Sequence, residues 1–326
     1  MRTKIPSRPQ CVSDARYPTW IHIFIENMAE CTVETNDKLL ELENKQKMID
    51  RAPFRGLKIK DAKILDTIDG RTKCKLCCKS RKFFCYTCCL PVIEDSYFPR
   101  VKLPIKIDII KHVREIDGKS TAIHAAILAP DDVKIYTYPD FPEIPNKEET
   151  VLIFPSNDAK AISVEAFFKK EQEKCDASAM RPKTIFPIKR AIFIDSTWQQ
   201  TKAIYKDQRL RELQCITLRS RFSQFWRHQK KSPRWFLATI EAIHQFLVEL
   251  HTCALGAVEE YADLDGSLNG GQNFVNNSEE MEDCSEIMQK YNGQYDNLLY
   301  FFKYMYDKIH SIYDHDKLQA YKRPLA

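Results

Sequence analysis

Asp195-Ser196-Thr197-Trp198 follows directly on four apolar residues, Ala191-Ile192-Phe193-Ile194. The acid can hold or move a proton, the two hydroxyls can position it, and the indole can wall off a flat ligand. A short continuous apolar run bounded by polar residues reads as a buried strand of a parallel sheet. The residues after it, Gln199 to Asp207, include Ala203, Ile204 and Tyr205 and have helical character. The polar cluster therefore stands where a strand ends and a helix begins. Open α/β sheets bind ligands at that edge, and free N–H groups at a helix start attract anionic groups. The plain alternative is a helix cap, with Asp195 or Ser196 accepting from the first free N–H groups and Trp198 packed as core.

A second cluster is made of cysteines. Six of the twelve fall between Cys74 and Cys89. Cys74 with Cys77, and Cys85 with Cys88, form two C-x-x-C knuckles able to give four thiolates in tetrahedral geometry, the usual closed structural zinc site. Cys78 and Cys89 are then spare. The alternative is a reduced cysteine-rich turn without metal. No βαβ context surrounds either pair, which argues against a redox motif. Lys73, Lys75, Lys79, Arg81 and Lys82 flank the knuckles, as phosphate contacts or as plain solvated charge.

The third cluster runs from Arg219 to Trp235, where six basic residues interleave with four aromatics and His228. Guanidinium groups pair with phosphates while aromatic faces stack on splayed bases. Some of these aromatics are expected to fold back as core.

The elements that must position these clusters follow from pattern. Leu103–Ile110, Val133–Tyr138, Val151–Phe154, Ala191–Asp195 and Leu213–Leu218 read as strands. Ala122–Leu128, a stretch near Ser163–Gln172, and Phe236–Leu255 read as helices between and after them. Strands alternating with helices mean an α/β fold with a largely parallel sheet. Tyr295–Tyr313, apolar nearly all round, reads as a buried C-terminal helix. The expected organisation is an N-terminal extension over 1–70 and a cysteine-rich module over 71–95. A catalytic α/β domain over 96–255, an acidic insert over 256–290 expected to be disordered, and a completing helix over 291–326 follow. Gly is scarce, and neither a G-x-G-x-x-G nor a P-loop is present, so a Rossmann dinucleotide site and a Walker site are unsupported.

Hydrophobic content of 44% and charged content of 29% are those of a soluble globular chain. No run reaches the length of a membrane span, and the first residues lack an apolar signal core, so a reducing intracellular compartment is expected. Net charge is +5, but Gly256–Glu286 holds nine acids and no Lys or Arg. The rest carries 50 basic against 36 acidic residues, or +14, which is compatible with a polyanionic partner.

Taken together, these blocks resemble the DTW-domain family of tRNA-uridine aminocarboxypropyltransferases along roughly Lys73–Asp307. Asp195-Ser196-Thr197-Trp198 fits the family's D-x-T-W, and Leu152-Ile153-Phe154-Pro155-Ser156 its L-F-P-S turn. Lys119-Ser120-Thr121, Leu218-Arg219 and Thr239-Ile240-Glu241-Ala242 match further blocks. Phe225-Trp226-Arg227-His228-Gln229-Lys230 and Gln294-Tyr295-Asp296-Asn297-Leu298-Leu299 look like the eukaryotic branch.

The resemblance implies transfer of the 3-amino-3-carboxypropyl group of S-adenosylmethionine to N3 of a D-loop uridine in tRNA. It implies an α/β fold related to SPOUT methyltransferases, with a C-terminal knot. It also implies nuclear residence, with the cytoplasm as second choice; beyond tRNA, no protein partner is inferable. On this basis Asp195, Thr197 and Trp198 are the expected catalytic residues. Asp195 is either the general base, its pKa raised by burial, or a ligand for the donor's amino group. His112 is an alternative base. Lys119, Ser120, Thr121, Pro155, Ser156, Ser196, Thr239 and Glu241 are expected at the cofactor, although Thr239 and Glu241 also read as first-turn helix residues. Arg219, Arg221, Trp226, Arg227, His228 and Lys230 are expected at RNA, and Cys74, Cys77, Cys85 and Cys88 at zinc. Two other readings fit parts of the pattern: a SPOUT-like RNA methyltransferase and a non-enzymatic zinc-bearing RNA-binding protein.

Overall fold

The computed structural model describes residues 52–155, 161–176, 185–229, 232–262 and 286–323. The expected disorder of the acidic insert falls mostly on residues outside this set, as do most of the N-terminal extension, Ser156 and Lys230.

Four two-residue strands come first: β1 (Thr72–Lys73), β2 (Ser80–Arg81), β3 (Phe84–Cys85) and β4 (Leu90–Pro91). β1 pairs antiparallel with β2, and β3 with β4, so the cysteine module is two small hairpins. The α/β pattern then begins with β5 (Lys106–Lys111), α1 (Ala122–Leu128), β6 (Val133–Thr137), β7 (Thr150–Ile153), β8 (Ile162–Ser163) and α2 (Val164–Asp176). It continues with β9 (Arg190–Asp195), α3 (Trp198–Tyr205), α4 (Gln208–Arg211) and β10 (Gln214–Thr217). The C-terminal helices are α5 (Thr239–Leu255), α6 (Glu259–Ala262) and α7 (Tyr300–Ile312).

Strands β5 to β10 form one sheet in the order β6-β5-β9-β7-β10-β8, and every neighbouring pair is parallel. The five strands read from sequence are all in it. The sixth, β8, is two residues long and carries no periodicity to read. The helix expected from Phe236 starts at Thr239 instead, because Ala238 is extended (ψ 152°) and serves as its N-cap.

Side chains alternate across the central strand β9. Ala191 and Phe193 join Ile107, Ile109 and the buried faces of α1 and α5 in the main core. Ile192 faces the other way, packing with Ile110, Leu152, Ile204 and Leu210 under α3 and α4. Continuous apolar strands are what a sheet buried on both faces requires. The cysteine hairpins are bound into the main core rather than tethered beside it: Phe84 packs edge-on against Phe301 of α7, with centroids 4.9 Å apart, and against His124 of α1.

A buried carboxylate closes the C-terminal half. Asp296 is fully buried and accepts from His244 of α5 (2.9 Å), the Tyr291 hydroxyl (2.6 Å), the Tyr261 hydroxyl of α6, and the Lys58 backbone N–H (2.7 Å). Gly293 (φ 89°) allows this approach, since a Cβ there would collide with the Tyr261 hydroxyl and crowd Asp296 Oδ2. Burial alone would push the Asp296 pKa up. The bonds from His244, Tyr261 and Tyr291 outweigh it and hold the carboxyl at about 2.

Asp296→Ala is expected to cost about 3–5 kcal/mol, the usual loss when one member of a buried ionic network is removed. Urea unfolding would check this. Because the folded-state pKa lies below the unfolded one, Asp296 stabilises the fold above an unfolded value of ~3.9, and that contribution fades as pH falls towards 2. The alanine variant should therefore lose the part of the acid dependence that lies in that window.

Candidate active site

β9 is the centre of the site. Its last residue, Asp195, is on the same face as Phe193, towards α1 and α5, and is 6% exposed. A carboxylate buried there needs donors, and two arrive from distant segments. Ser120 Oγ–H donates to Asp195 Oδ2 at 2.6 Å, and Thr239 Oγ1–H to Oδ1 at 2.6 Å. Ser120 accepts in turn from the Ala122 N–H at the start of α1 (3.1 Å). Thr121, the N-cap of α1, accepts from the Ile240 N–H at the start of α5 (3.2 Å). Two helix starts are thus tied to each other and to one acid. Burial pushes the Asp195 pKa up; the two hydroxyl bonds and the charge of Lys111 only partly offset this.

The capping role falls elsewhere. Thr197 is the N-cap of α3, and its N–H donates to Gln200 Oε1 at 3.4 Å. Ser196 and Thr201 hydroxyls lie 2.6 Å apart, with Thr201 donating to the Thr197 carbonyl (3.0 Å). So neither Asp195 nor Ser196 caps the helix, and Asp195 faces the opposite layer. Trp198 is the first residue of α3. His112 donates its backbone N–H to the Asp195 carbonyl at 3.0 Å, which places it beside the acid through main chain.

The remaining expected residues separate. Pro155 is exposed after β7, and Lys119 is exposed in the loop before α1. Glu241 turns inward: its carboxylate accepts from Ser223 Oγ (2.6 Å), the Gln224 N–H (2.7 Å) and the Ala238 N–H (2.8 Å). It clasps the basic segment to the start of α5 instead of facing the carboxyl edge. Trp226 is 9% exposed and packs on Phe225 and Phe302. Its expected role as a stacking surface is replaced by one in the core, since a large apolar ring in this segment gains more by burial than by exposure. Arg219 lies 3.8 Å from Glu165, and Arg221 donates to Gln245 Oε1 at 3.3 Å. Arg227 is half-buried and reaches the Gly118 carbonyl (3.4 Å), while His228 is exposed, with Nδ1 3.2 Å from the Gln319 carbonyl.

Cys74, Cys77, Cys85 and Cys88 converge: their four Sγ atoms all lie within 4.8 Å of one another. A tetrahedral site with Zn–S bonds of ~2.3 Å has sulfur–sulfur edges of ~3.8 Å, so the donor set fits one metal ion. Cys78 (φ 57°) and Cys89 (φ 55°), the two spare cysteines, take the left-handed position after each knuckle. Burial opposes ionisation of Cys85, but the Cys88 and Thr87 N–H groups outweigh it and hold the thiol at about 6. The Arg81 guanidinium beside the cluster is held more firmly charged: burial opposes its charge, but the neighbouring thiols Cys85 and Cys77 favour it.

A family model described as the DTW domain matches residues 82–310. The chain belongs to the DTW-domain family. Relatives named tRNA-uridine aminocarboxypropyltransferase 1 agree with this placement. The Mus musculus protein is 42% identical, with 74% of this chain and 77% of the relative covered. The Xenopus tropicalis protein is 38% identical (78% and 85% covered), and the Homo sapiens protein 39% identical (85% and 90% covered). No solved structure matches the chain.

Within this DTW domain, sequence reasoning passed over Lys111, Glu115 and Asp117. Lys111 ends β5 and pairs across the strands with Asp195, while its ammonium forms an ion pair with Asp117. Glu115 is half-buried, and burial, then the charge of Asp195, pushes its pKa up. A parallel-strand register lay beyond what the sequence pattern could supply.

The Ser120→Ala/Thr239→Ala double variant is expected to raise the Asp195 pKa further. A hydrogen bond to a charged group is worth about 1.5–3 kcal/mol, so each loss is worth roughly one unit or more. Carboxyl-carbon NMR titration of labelled aspartate reads this directly. An unchanged titration would mean that the two hydroxyls do not hold the ionised form.

Proposed function

We propose that the chain transfers the 3-amino-3-carboxypropyl group of S-adenosylmethionine to N3 of a uridine in the D-loop of tRNA. The observation that carries this is Asp195. It is an acid at the carboxyl end of the central parallel strand, desolvated and held by two hydroxyls, in a chain whose DTW-domain relatives bear the name of that transferase. The uridine must give up its N3 proton for N3 to bond to carbon. A carboxylate whose pKa is raised towards neutrality accepts that proton best. Each Asp195 oxygen accepts one hydroxyl and keeps a second acceptor position for the substrate.

S-adenosylmethionine supplies a carbon made electrophilic by its attached sulfonium. The surroundings of Asp195 suit its ammonium: the Ser120 and Thr239 hydroxyls, whose hydrogens go to Asp195, each keep an acceptor position, and the Phe154–Pro155 turn adds carbonyls. Thr197 fixes the α3 start that follows the acid, so Asp195 keeps one orientation. Zinc at Cys74, Cys77, Cys85 and Cys88 is part of the proposal, as a closed structural ion that joins the two hairpins. Nuclear residence is proposed from the resemblance, and imaging of a tagged chain checks it.

The test is nucleoside mass spectrometry on unmodified tRNA incubated with the protein and S-adenosylmethionine labelled in the carboxyl carbon. Label in a uridine nucleoside is the expected outcome. A methyl gain without label would overturn the reading. Asp195→Asn is expected to lower kcat by about 10²–10⁴-fold, the span of a positioned general base, with tRNA affinity unchanged. In the wild type, the acid limb of kcat should lie above the ordinary aspartate range.

A metal assay checks the cysteine site independently. One equivalent of zinc per chain is expected, and Cys74→Ser/Cys85→Ser should lose it together with a cooperative thermal transition at the wild-type temperature.

A further inference from the structure

The loop between β5 and α1, the end of β6, and the second cysteine hairpin enclose a cavity of about 90 Å³. It lies next to the Asp195 cluster and shares Ser120 with it. Its floor is apolar, from Ile123 and Ile135, and Tyr86 lines the side towards the cysteine module. Its polar lining includes Thr87, Lys111, Asp117, Ser120 and Thr137, with Asp117 holding Lys111. Apolar cavities of ~150 Å³ hold a benzene ring. This one is smaller, but it is open at the exposed Thr87 and Thr137, so a ring entering it is not enclosed on every side.

The sheet register explains why the polar groups converge. Thr137 of β6 is opposite Lys111 of β5, and Lys111 is opposite Asp195 of β9. Ile107, Ile109, Val133, Ala191 and Phe193 belong to the main core, and the partly buried Ile135 packs against it. By the two-residue period of a strand, Thr137, Lys111 and Asp195 continue that face. Adjacent strands are ~4.8 Å apart, so a hydroxyl, an ammonium and a carboxylate form one row along the carboxyl edge. Tyr86 is held in place by the Arg81 guanidinium, 3.8 Å over its ring, and by Gly118, where an added Cβ would lie 3.4 Å from the ring.

We infer that this cavity receives the uracil ring of the target uridine, and that Lys111 is a further catalytic residue, stabilising the negative charge that develops on N3 and the flanking carbonyl oxygens. This rests on the transferase reading. The uracil ring offers two carbonyl acceptors on either side of one N–H donor. In the row Lys111 is next to Asp195, so with N3–H on the acid Lys111 donates to one flanking carbonyl oxygen, and the ring lies between the Tyr86 side and the isoleucine floor. N3 gives its proton to Asp195 and forms its bond to the donor carbon as the carbon–sulfur bond breaks. The bonding pair stays on sulfur, the thioether leaves neutral, and Asp195 returns the proton to solvent. A fixed cation beside the developing imide anion acts as an oxyanion-hole donor does, and removal of one such donor costs about 10²–10³ in rate.

Two measurements test this. In the first, single-turnover rates are measured for Lys111→Gln and Lys111→Arg on tRNA. The glutamine variant should lose about 10²-fold or more in rate, with tRNA affinity within threefold of wild type and partial rescue by arginine. Substrate carrying 5-fluorouridine, whose N3–H is more acidic, should restore much of the loss. A glutamine variant within threefold of wild-type rate, or one that 5-fluorouridine does not rescue, overturns the role of Lys111. In the second, tRNA containing 4-thiouridine is photocrosslinked to the wild-type protein, and the adduct is mapped by mass spectrometry. Adducts in the Tyr86–Cys89 or Lys111–Ile123 peptides support the cavity whether or not transfer occurs. Those adducts without any transfer would count against the transferase reading alone. Transfer with adducts confined to other peptides would overturn the cavity.

Discussion

A carboxylate removed from water must be met by donors from the protein, and Asp195 cannot find them in its own strand. It draws them from Ser120 and Thr239, which lie 75 and 44 residues away in sequence. Much of the fold follows from bringing those residues together. β9 must be central for its end to lie beneath two helix starts. α1 and α5 must begin on the same face of the sheet, and the Thr121–Ile240 bond fixes their spacing. α3 needs its own cap, and Thr197 supplies it, so the acid is not spent on a helix end.

Two of the buried carboxylates show how donor number and charge decide what an acid can do. Asp195 and Asp296 are both desolvated, yet burial wins at Asp195 and raises its pKa, while hydrogen bonding wins at Asp296 and lowers it. Asp195 has two neutral hydroxyls on its oxygens. Asp296 has a histidine, two phenols and a backbone N–H, collected from four segments. The first is held less firmly as an anion than a free aspartate. The second is locked as an anion and acts as a staple between α5, α6, the α7 entry and the segment at Lys58. Glu241 is intermediate in design: three internal donors hold it, and its task is to seat the basic segment against α5.

Most of the sheet was legible because a strand buried on both faces writes itself as a run of apolar residues, as in Ala191–Ile194. The four-cysteine cluster was legible because C-x-x-C spacing is local. What stayed hidden depends on distance or on competition. Trp226 and Arg227 are neighbours in a segment that reads as uniformly basic and aromatic, and only packing decides that the indole enters the core while the guanidinium stays half-buried. Asp296 looked like one polar residue in the first turn of the expected Tyr295–Tyr313 helix, since its four partners are far away in the chain or cannot be told from other tyrosines and histidines. Lys111 looked like the end of an apolar run. Its importance appears only when β5 and β9 are aligned in register, because nothing within β5 says which residue of which strand lies beside it.

That alignment also divides the carboxyl edge. With the order β6-β5-β9-β7-β10, Asp195 stands between two kinds of surroundings. On one side, β5 and β6 end in Lys111 and Thr137, backed by the cysteine hairpin through Tyr86. On the other, β7 and β10 end in the Phe154–Pro155 turn and in Leu218–Arg219, where the Phe154 N–H donates to the Ile216 carbonyl at 3.1 Å. A group transfer needs the attacking atom in contact with the donor carbon and in line with the bond that breaks. Asp195, at the end of the central strand, borders the surroundings on both sides. The division also gives the cysteine module a reason to be fused into the core: the wall of the β5–β6 side is built from its second hairpin, so the shape of that side depends on the four thiols staying together.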